Sequence, residues 1–174
     1  MLNFPGAGTV VQHGFIVNDV DEAAKRWTDT VGAGPFFILR KPDNLKIKYR
    51  GAAADTQISI ALGQAGGAQI ELIQQHDSGP SVYRDLYPAG KEGFHHMAML
   101  TTDMDATVKA YQDAGFEIAL DGLFGTTRFI FVDALKTMGM FIEVVEASED
   151  VTGLFGMIAD AHKGWDGSQP IREL

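Results

Sequence analysis

The feature that most constrains the fold is an internal repeat: one order of patterns begins near the N-terminus and begins again just past the middle. The stretch "NDVDEAAKRW" aligns with "TDMDATVKAY" at an offset of 84 residues, whereas "HGFIV" aligns with "HMAML" at an offset of 83. The one-residue disagreement requires a small insertion where the strand joins the helix. Each copy runs strand, helix, then three strands, which predicts two similar modules that share one core.

Start and stop signals mark the elements of both copies. Asp19 and Asp103 are candidate helix N-caps, Gly32 or Gly34 ends the first helix, and "QAGG" predicts a hairpin turn. We place module one at about 9–76, a connection with a short helical piece at 77–92, module two at about 93–147, and at 148–174 a tail with a helix at roughly 151–162 and a polar, glycine-containing end.

Composition limits the class of protein and of partner. The 174 residues include 45% hydrophobic residues and no cysteine, which suits one ordinary globular domain without disulfides or thiolate sites. The net charge of -9 disfavours nucleic acid and anionic membranes as partners. The N-terminal stretch "MLNFPGAGTV" lacks the pattern of a signal peptide, and no apolar run is long enough to span a bilayer. We therefore expect a cytoplasmic protein.

Two pairs of polar residues recur at matching places in the two copies. His13 and His96 lie on the first strand of each copy, and Glu71 and Glu143 lie on the last strand. Taken alone, a strand glutamate more often faces water, and a strand histidine is more often a hydrogen-bonded core or edge residue. The joint recurrence favours one shared cleft. Two imidazoles and two carboxylates suit one divalent ion such as Zn, Ni, Co, Mn or Fe.

The remaining histidines have no such partner in the other copy. Adjacent residues of a regular strand point to opposite faces, so His95 and His96 are not expected to share a side. The alignment selects His96 as the inward residue and leaves His95 with a packing or hydrogen-bonding role. We interpret His76 and His162 as surface residues.

Several motifs together resemble the vicinal oxygen chelate superfamily, which includes glyoxalase I, methylmalonyl-CoA epimerase, extradiol dioxygenases and fosfomycin-resistance proteins. "GFHHMAMLTTDMDA" and "TRFIFVDALKTMGMFIEV" are most similar to the epimerase branch, whereas "AQIELIQ" is as similar to glyoxalase I. The resemblance covers roughly residues 9 to 147. It implies an α+β fold in which two tandem βαβββ modules form a curved mixed sheet with a metal cleft, and it implies a homodimer.

The resemblance also implies roles for individual residues. His13, Glu71, His96 and Glu143 fall on the metal positions of the superfamily. Glu143 is the leading candidate for a ligand that also acts as the base, and Glu71 is the second. Arg128 lies in a strand of apolar residues and is either a snorkelling or salt-bridged surface residue or an anchor for a substrate carboxylate or thioester-linked acid, because a guanidinium binds a carboxylate with two hydrogen bonds.

These residues predict an isomerase, epimerase or lyase that removes a proton next to a carbonyl or thioester with the help of a metal. One alternative is an extradiol-type dioxygenase that holds Fe(II) with two histidines and one glutamate. A second alternative is a non-catalytic protein of the same fold that binds a small molecule. Buried carboxylates without a partner are costly in a pure binding protein, which disfavours that alternative.

Overall fold

The computed structural model describes residues 7–174. Residues 1–6, on which part of the signal-peptide expectation rests, lie outside the described residues. The first half of the chain contains β1 (Val10–Ile16), α1 (Val20–Val31), β2 (Phe36–Arg40), β3 (Leu45–Tyr49), β4 (Ala52–Ala54), β5 (Ile58–Ala65) and β6 (Ala68–Gln75).

The second half repeats this order after a short connecting helix. It contains α2 (Val82–Leu86), β7 (Gly93–Thr101), α3 (Met104–Asp113), β8 (Ile118–Phe124), β9 (Thr127–Ala134), α4 (Leu135–Met138), β10 (Met140–Glu146), α5 (Glu149–His162) and β11 (Ile171–Glu173). No helix within residues 7–174 is both long and apolar enough to cross a membrane.

All eleven strands belong to one mixed sheet with the order β11-β2-β5-β6-β1-β7-β10-β9-β8-β3-β4. The first strands of the two halves, β1 and β7, pair antiparallel at the centre. On either side, β6 runs parallel to β1 and β10 runs parallel to β7. This arrangement relates the halves by a pseudo-twofold axis between β1 and β7, so the predicted α+β fold with repeated βαβββ units is confirmed.

The first half has an extra hairpin that the second half lacks. Strands β3 and β4 leave their own half, and β3 pairs with β8 at the far side of the sheet. In a flat sheet β2 and β3 would lie roughly 38 Å apart, whereas the five residue steps from Arg40 to Leu45 span at most about 18 Å. The sheet therefore curls round until its two ends approach each other, and its concave face encloses a cleft.

The two equivalent helices begin where the sequence predicts. The Asp19 carboxylate accepts hydrogen bonds from the first turn of α1, and the Asp103 carboxylate does the same for α3. Gly32 ends α1 in the left-handed conformation, at a φ of 72° that favours glycine. On α1 the buried residues are Val20, Ala23 and Ala24, which pack in one apolar cluster with residues of β5 and β6.

The tail covers part of the concave face. Helix α5 packs its buried Ile158 against Phe37 and Leu62 of β2 and β5. The polar end of the tail forms β11, a strand that the sequence pattern did not indicate, and pairs parallel with β2. His162, predicted to be a surface residue, is the half-buried last residue of α5, and its Nδ1 lies 2.6 Å from the carbonyl oxygen of Gly34.

Candidate metal centre

Three of the four predicted metal ligands come together on the concave face. Glu71 of β6, His96 of β7 and Glu143 of β10 each place one ligand atom within 4.8 Å of the others. All three side chains are buried. They meet because β6 and β10 flank the central pair of strands, and each glutamate lies beside a small residue of its neighbouring strand, Gly14 for Glu71 and Ala98 for Glu143.

His13 does not join this group, and its predicted register is off by one residue. It lies half-buried on the other face of β1, with its ring 6.3 Å from the ring of Phe94. The offset of 84 residues between Asp19 and Asp103, the two helix caps, also relates β1 to β7, and no insertion between strand and helix is needed. At this offset Gln12 is the equivalent of His96. Gln12 is 2% exposed and lines the same cavity as Glu71 and Glu143. The prediction paired His13 with His96 because both are histidines. The alternation of side chains along β1 places Gln12, and not His13, on the face of the centre.

A glycine makes room for the histidine of the centre. Gly14 of β1 is the cross-strand partner of His96. A β-carbon on Gly14 would lie 1.8 Å from the His96 imidazole, so the fully buried ring would have to leave its position. The "HGFIV" stretch therefore contributes its glycine, rather than its histidine, to the centre.

His95 and His96 do share one side of the strand, contrary to the expectation from regular alternation. The pairing of β1 with β7 shifts register between Gly14 and Phe15, and His95 is the extra residue of this β-bulge. Both imidazoles are 0% exposed. His95 stacks on Phe141 with ring centroids 4.9 Å apart, so it has the packing and hydrogen-bonding role that the sequence predicts, but directly behind His96.

The hydrogen bonds of His95 select which nitrogen of His96 faces the carboxylates. His95 Nε2 lies 3.1 Å from the carbonyl oxygen of Val82, which accepts only, so Nε2 carries the hydrogen. Burial, together with the charge on His96, lowers the pKa of His95 to about 3, which keeps the ring neutral. Its Nδ1 then accepts from His96 Nδ1, 3.0 Å away. His96 Nε2 is left to face the two glutamates.

Some polar atoms of the site make no hydrogen bond. His96 Nε2 lies 3.1 Å from Glu71 Oε2 and 3.3 Å from Glu143 Oε2. These distances allow charge attraction, but the alignment is too poor for hydrogen bonds, so His96 Nε2 and Glu71 Oε2 are buried without a hydrogen-bond partner among residues 7–174. Unpartnered buried polar atoms are costly. One imidazole, two carboxylates and a nearby amide form a donor set that fits a divalent cation.

The charges of the three residues are linked. Burial lowers the pKa of His96, but the carboxylates of Glu143 and Glu71 outweigh burial and raise it to about 9. Burial and the neighbouring Glu71 raise the pKa of Glu143. In the metal-free protein the raised pKa therefore keeps a proton on the His96 ring, beside the two carboxylates. A divalent ion that binds there has to replace this proton.

The centre lies at one wall of a cavity of about 300 Å³. Tyr83 of α2 lines this cavity and is 2% exposed. Burial, and the charges of Glu71 and Glu143, raise the pKa of the Tyr83 hydroxyl well above 10, so it is a neutral donor. Sequence analysis missed both Gln12 and Tyr83. Alternation along β1 signals Gln12, whereas no local pattern signals Tyr83, because α2 reaches the cavity only through the tertiary fold.

Arg128 does not lie at the cavity. Its neighbours Thr127 and Phe129 line the cavity, and by strand alternation Arg128 points away from it. There its guanidinium pairs with Asp121 and Asp105, each at 2.9 Å. The interpretation of Arg128 as the anchor of a substrate carboxylate therefore has no support in the position of the side chain.

The comparisons with known proteins agree with the fold. The family model of the glyoxalase/bleomycin resistance protein/dioxygenase superfamily matches residues 11–131. A methylmalonyl-CoA epimerase from Mycobacterium tuberculosis is 20% identical, with a TM-score of 0.56 over 88% of this chain and 97% of that chain. One from Streptomyces coelicolor, in complex with 2-nitronate-propionyl-CoA, is 18% identical, with a TM-score of 0.57 over 84% and 99%. No curated protein matches the sequence.

Proposed function

Because the chain belongs to the glyoxalase/bleomycin resistance protein/dioxygenase superfamily, we propose that it is a metal-dependent isomerase, epimerase or lyase. In this proposal the enzyme removes a proton next to a carbonyl or thioester group. The observation that carries the proposal is the convergence of Glu71, His96 and Glu143, in which the buried atoms Glu71 Oε2 and His96 Nε2 make no hydrogen bond, at the wall of a ligand-sized cavity. Such atoms mark a place where a cation and a substrate complete the protein.

The proposed ligands are Glu71, His96 and Glu143, with the amide oxygen of Gln12 at the position predicted for His13. A divalent ion held there supplies positive charge that polarises a substrate oxygen. Glu143 is the proposed base, since its carboxylate lies at the wall of the cavity beside the other two ligands and can take a proton from a substrate held there. When Glu143 takes the proton from carbon, the bonding electron pair moves onto the carbonyl oxygen, and the Tyr83 hydroxyl can donate a hydrogen bond to that oxygen.

The pseudo-twofold relation between the two glutamates supports the choice of reaction. Glu71 and Glu143 occupy equivalent positions on opposite sides of the central strands. Removal of the proton by Glu143 and its return by Glu71 to the other face of the same carbon inverts that carbon. Return to the neighbouring carbon gives an isomer instead.

The donor set weighs against the two alternatives. A dioxygenase of the two-histidine, one-carboxylate type needs a second imidazole, and the described residues bring only His96 into the group of possible ligands. A non-catalytic binding protein gains nothing from burying Glu71 and Glu143 beside each other, because the two carboxylates repel and lose hydration.

The test has two steps. Elemental analysis of protein purified without added metal should find one divalent ion per chain. The loaded protein is then incubated in deuterated water with a panel of acyl-CoA esters, hemithioacetals and small ketones, and deuterium incorporation is followed by mass spectrometry. Incorporation into at least one compound is the expected result. Absence of any bound metal, or conversion of a catechol with uptake of oxygen, would refute the proposal.

Two further predictions accompany this one. Glu71, His96 and Glu143 meet within one chain. The homodimer stays a prediction that light scattering at micromolar concentration tests. A cytoplasmic location likewise stays a prediction.

A further inference from the structure

The wall of the cavity is almost entirely apolar. Its five polar side chains are Gln12, Glu71, Tyr83, Thr127 and Glu143, and three of them belong to the metal centre. The rest of the wall is aliphatic or aromatic, including phenylalanines from β2, β8, β9 and α5. A pocket of this kind binds the body of a ligand by apolar contact and orients it with few polar groups.

No cationic side chain reaches the cavity. None of the 14 lysine and arginine residues, all of which lie within residues 7–174, lines it. Arg172 of β11 lies over the outer side of the wall residue Phe37, 5.6 Å from the ring centroid, and does not itself line the cavity. Three other arginines on nearby strands pair with acidic residues. Arg40 pairs with Asp21 and Glu173, and Arg50 pairs with Asp85. Arg128 pairs with acidic residues outside the cavity, as described above. A substrate carboxylate inside the cavity would have no guanidinium or ammonium partner.

The metal centre does not supply the missing positive charge. A divalent ion with two carboxylate ligands is neutral overall, and without the ion the two carboxylates leave the wall negative or protonated. An anionic substrate would therefore lose its hydration in an apolar cavity without a compensating charge, which is unfavourable. A neutral oxygen can still contact the ion.

The cavity is also small, and it is covered in part. Its volume of about 300 Å³ is at the lower end of the range for ligand pockets. Val151, Leu154 and Phe155 of α5 form part of its wall. The first turn of this helix adds the exposed residues Glu149 and Asp150 next to Val151, so the cover carries negative charge, which is unfavourable for the phosphates of a CoA ester.

We propose that the cavity takes a small, uncharged, aromatic or branched aliphatic carbonyl compound, and not an acyl-CoA ester. In this arrangement the hydrocarbon body lies among the phenylalanines and one oxygen faces the metal centre, within reach of the Tyr83 hydroxyl. This assignment rests on the proposed function and narrows it, since it selects the carbonyl from the carbonyl or thioester substrates.

The test compares two probes that differ in charge. 2-Hydroxyacetophenone is neutral, and phenylglyoxylate carries the same phenyl ketone beside a carboxylate. Isothermal titration calorimetry on the metal-loaded, full-length protein should show 2-hydroxyacetophenone binding at least roughly 10-fold more tightly, because the carboxylate is desolvated without a partner. Propionyl-CoA should not displace it. Equal or tighter binding of phenylglyoxylate or propionyl-CoA, or no binding of any probe, overturns the proposal.

A matched pair of variants tests whether charge causes the preference. Val151→Lys places an ammonium at the half-buried cavity face of α5, and Met157→Lys places one at an exposed position of the same helix that does not line the cavity. Val151→Lys should shift the affinity ratio toward phenylglyoxylate by several-fold, and Met157→Lys should leave the ratio unchanged. An unchanged ratio in folded Val151→Lys would overturn the proposal.

The failure of this inference is distinguishable from failure of the proposed function. Metal binding is measured separately, by titration of Zn²⁺ into the metal-free protein. If metal binds and the neutral probe has no advantage, only the substrate class is wrong. If no metal binds, the proposed function fails, and the probe ratio of the metal-free protein alone decides whether the cavity selects neutral compounds.

Discussion

The two halves of the sheet offer the candidate centre equivalent positions but unequal chemistry. Glu71 and Glu143 are true equivalents, whereas the position of His96 in the second half is held by Gln12 in the first. Both central strands carry an extra residue at equivalent positions, Val11 in β1 and His95 in β7, but only in β7 is that residue a histidine, which places a second imidazole behind the first. The repeat therefore determines which positions point into the cleft, whereas the residue types in each half determine which chemical groups occupy those positions.

A second difference concerns the space beside the histidine. The position of Gly14 in the first half is held by Ala98 in the second, and each faces the histidine or glutamine of the other half across β1 and β7. A β-carbon is tolerated opposite Gln12 but not opposite the His96 ring. The larger ring of His96 is therefore accommodated by glycine on the facing strand, whereas Gln12 faces alanine.

The largest effect, on metal affinity, is expected when His96 of the second half is replaced by glutamine, the residue at the equivalent position of the first half. His96→Gln replaces the only imidazole among the ligands and should weaken metal binding more than roughly 100-fold, beyond the range of changes outside the ligand shell. His13→Gln, which changes a histidine on the other face of β1, should leave affinity unchanged. Titration of Zn²⁺ against a competing chelator measures both. A loss of metal affinity in His13→Gln would instead support the predicted ligand set, in which His13 and His96 both bind the metal.

The equivalence of the glutamates is tested next. Glu143→Gln keeps the size and one coordinating oxygen but removes the basic group, so kcat should fall by roughly 100-fold or more, as is typical for loss of a general base. Deuterium incorporation into the substrate should fall with it, while metal content falls only modestly. Glu71→Gln is the matched control. If Glu143→Gln exchanges deuterium at the wild-type rate and Glu71→Gln does not, their roles are reversed.

The histidine that occupies the bulge of β7, in place of Val11 in β1, has a smaller predicted effect. His95→Phe keeps an aromatic ring against Phe141 but removes the acceptor for His96 Nδ1, so His96 is no longer oriented. Metal affinity should fall by roughly 10–100-fold, as is typical for partners that orient ligands. His76→Phe serves as control, because His76 bonds to Ser59 away from the centre. Unchanged affinity in His95→Phe would reduce His95 to a packing residue.

The smallest effect is a pH dependence of stability in the metal-free protein. The folded pKa of His96 is raised to about 9 from 6.5, so its stabilising contribution is complete below pH 6.5 and is lost as pH rises toward 9. The folded pKa of His95 is lowered to about 3, so it destabilises the fold as pH falls from 6.5 toward 3.

Urea unfolding with EDTA at pH 5, 6.5 and 9 measures this dependence. The wild-type free energy of unfolding should be highest near pH 6.5. His96→Gln should flatten the decline toward pH 9, and His95→Phe should flatten the decline toward pH 5. A decline toward pH 9 that is as steep in His96→Gln as in the wild type would contradict the raised pKa of His96.

Local sequence patterns determined much of the fold and part of the site. Periodicity and the two aspartate caps identified the repeat, because a cap and a strand alternation act within a few residues. The same patterns indicated that Glu71, His96 and Glu143 meet, since equivalent strands of a repeat take equivalent places in a sheet. The choice between offsets 83 and 84 was also present in the sequence, and the caps favoured the correct one.

Tertiary structure decided the rest. The bulge at His95 arises from pairing with β1, the approach of Tyr83 depends on how α2 crosses the cavity, and the crossing of β3 to β8 depends on closure of the curved sheet. The apolar, cation-free wall is assembled from strands and a tail helix far apart in the chain. Each of these features depends on contacts between segments that are distant in the chain. A pattern within a few neighbouring residues does not determine the free energy of such contacts.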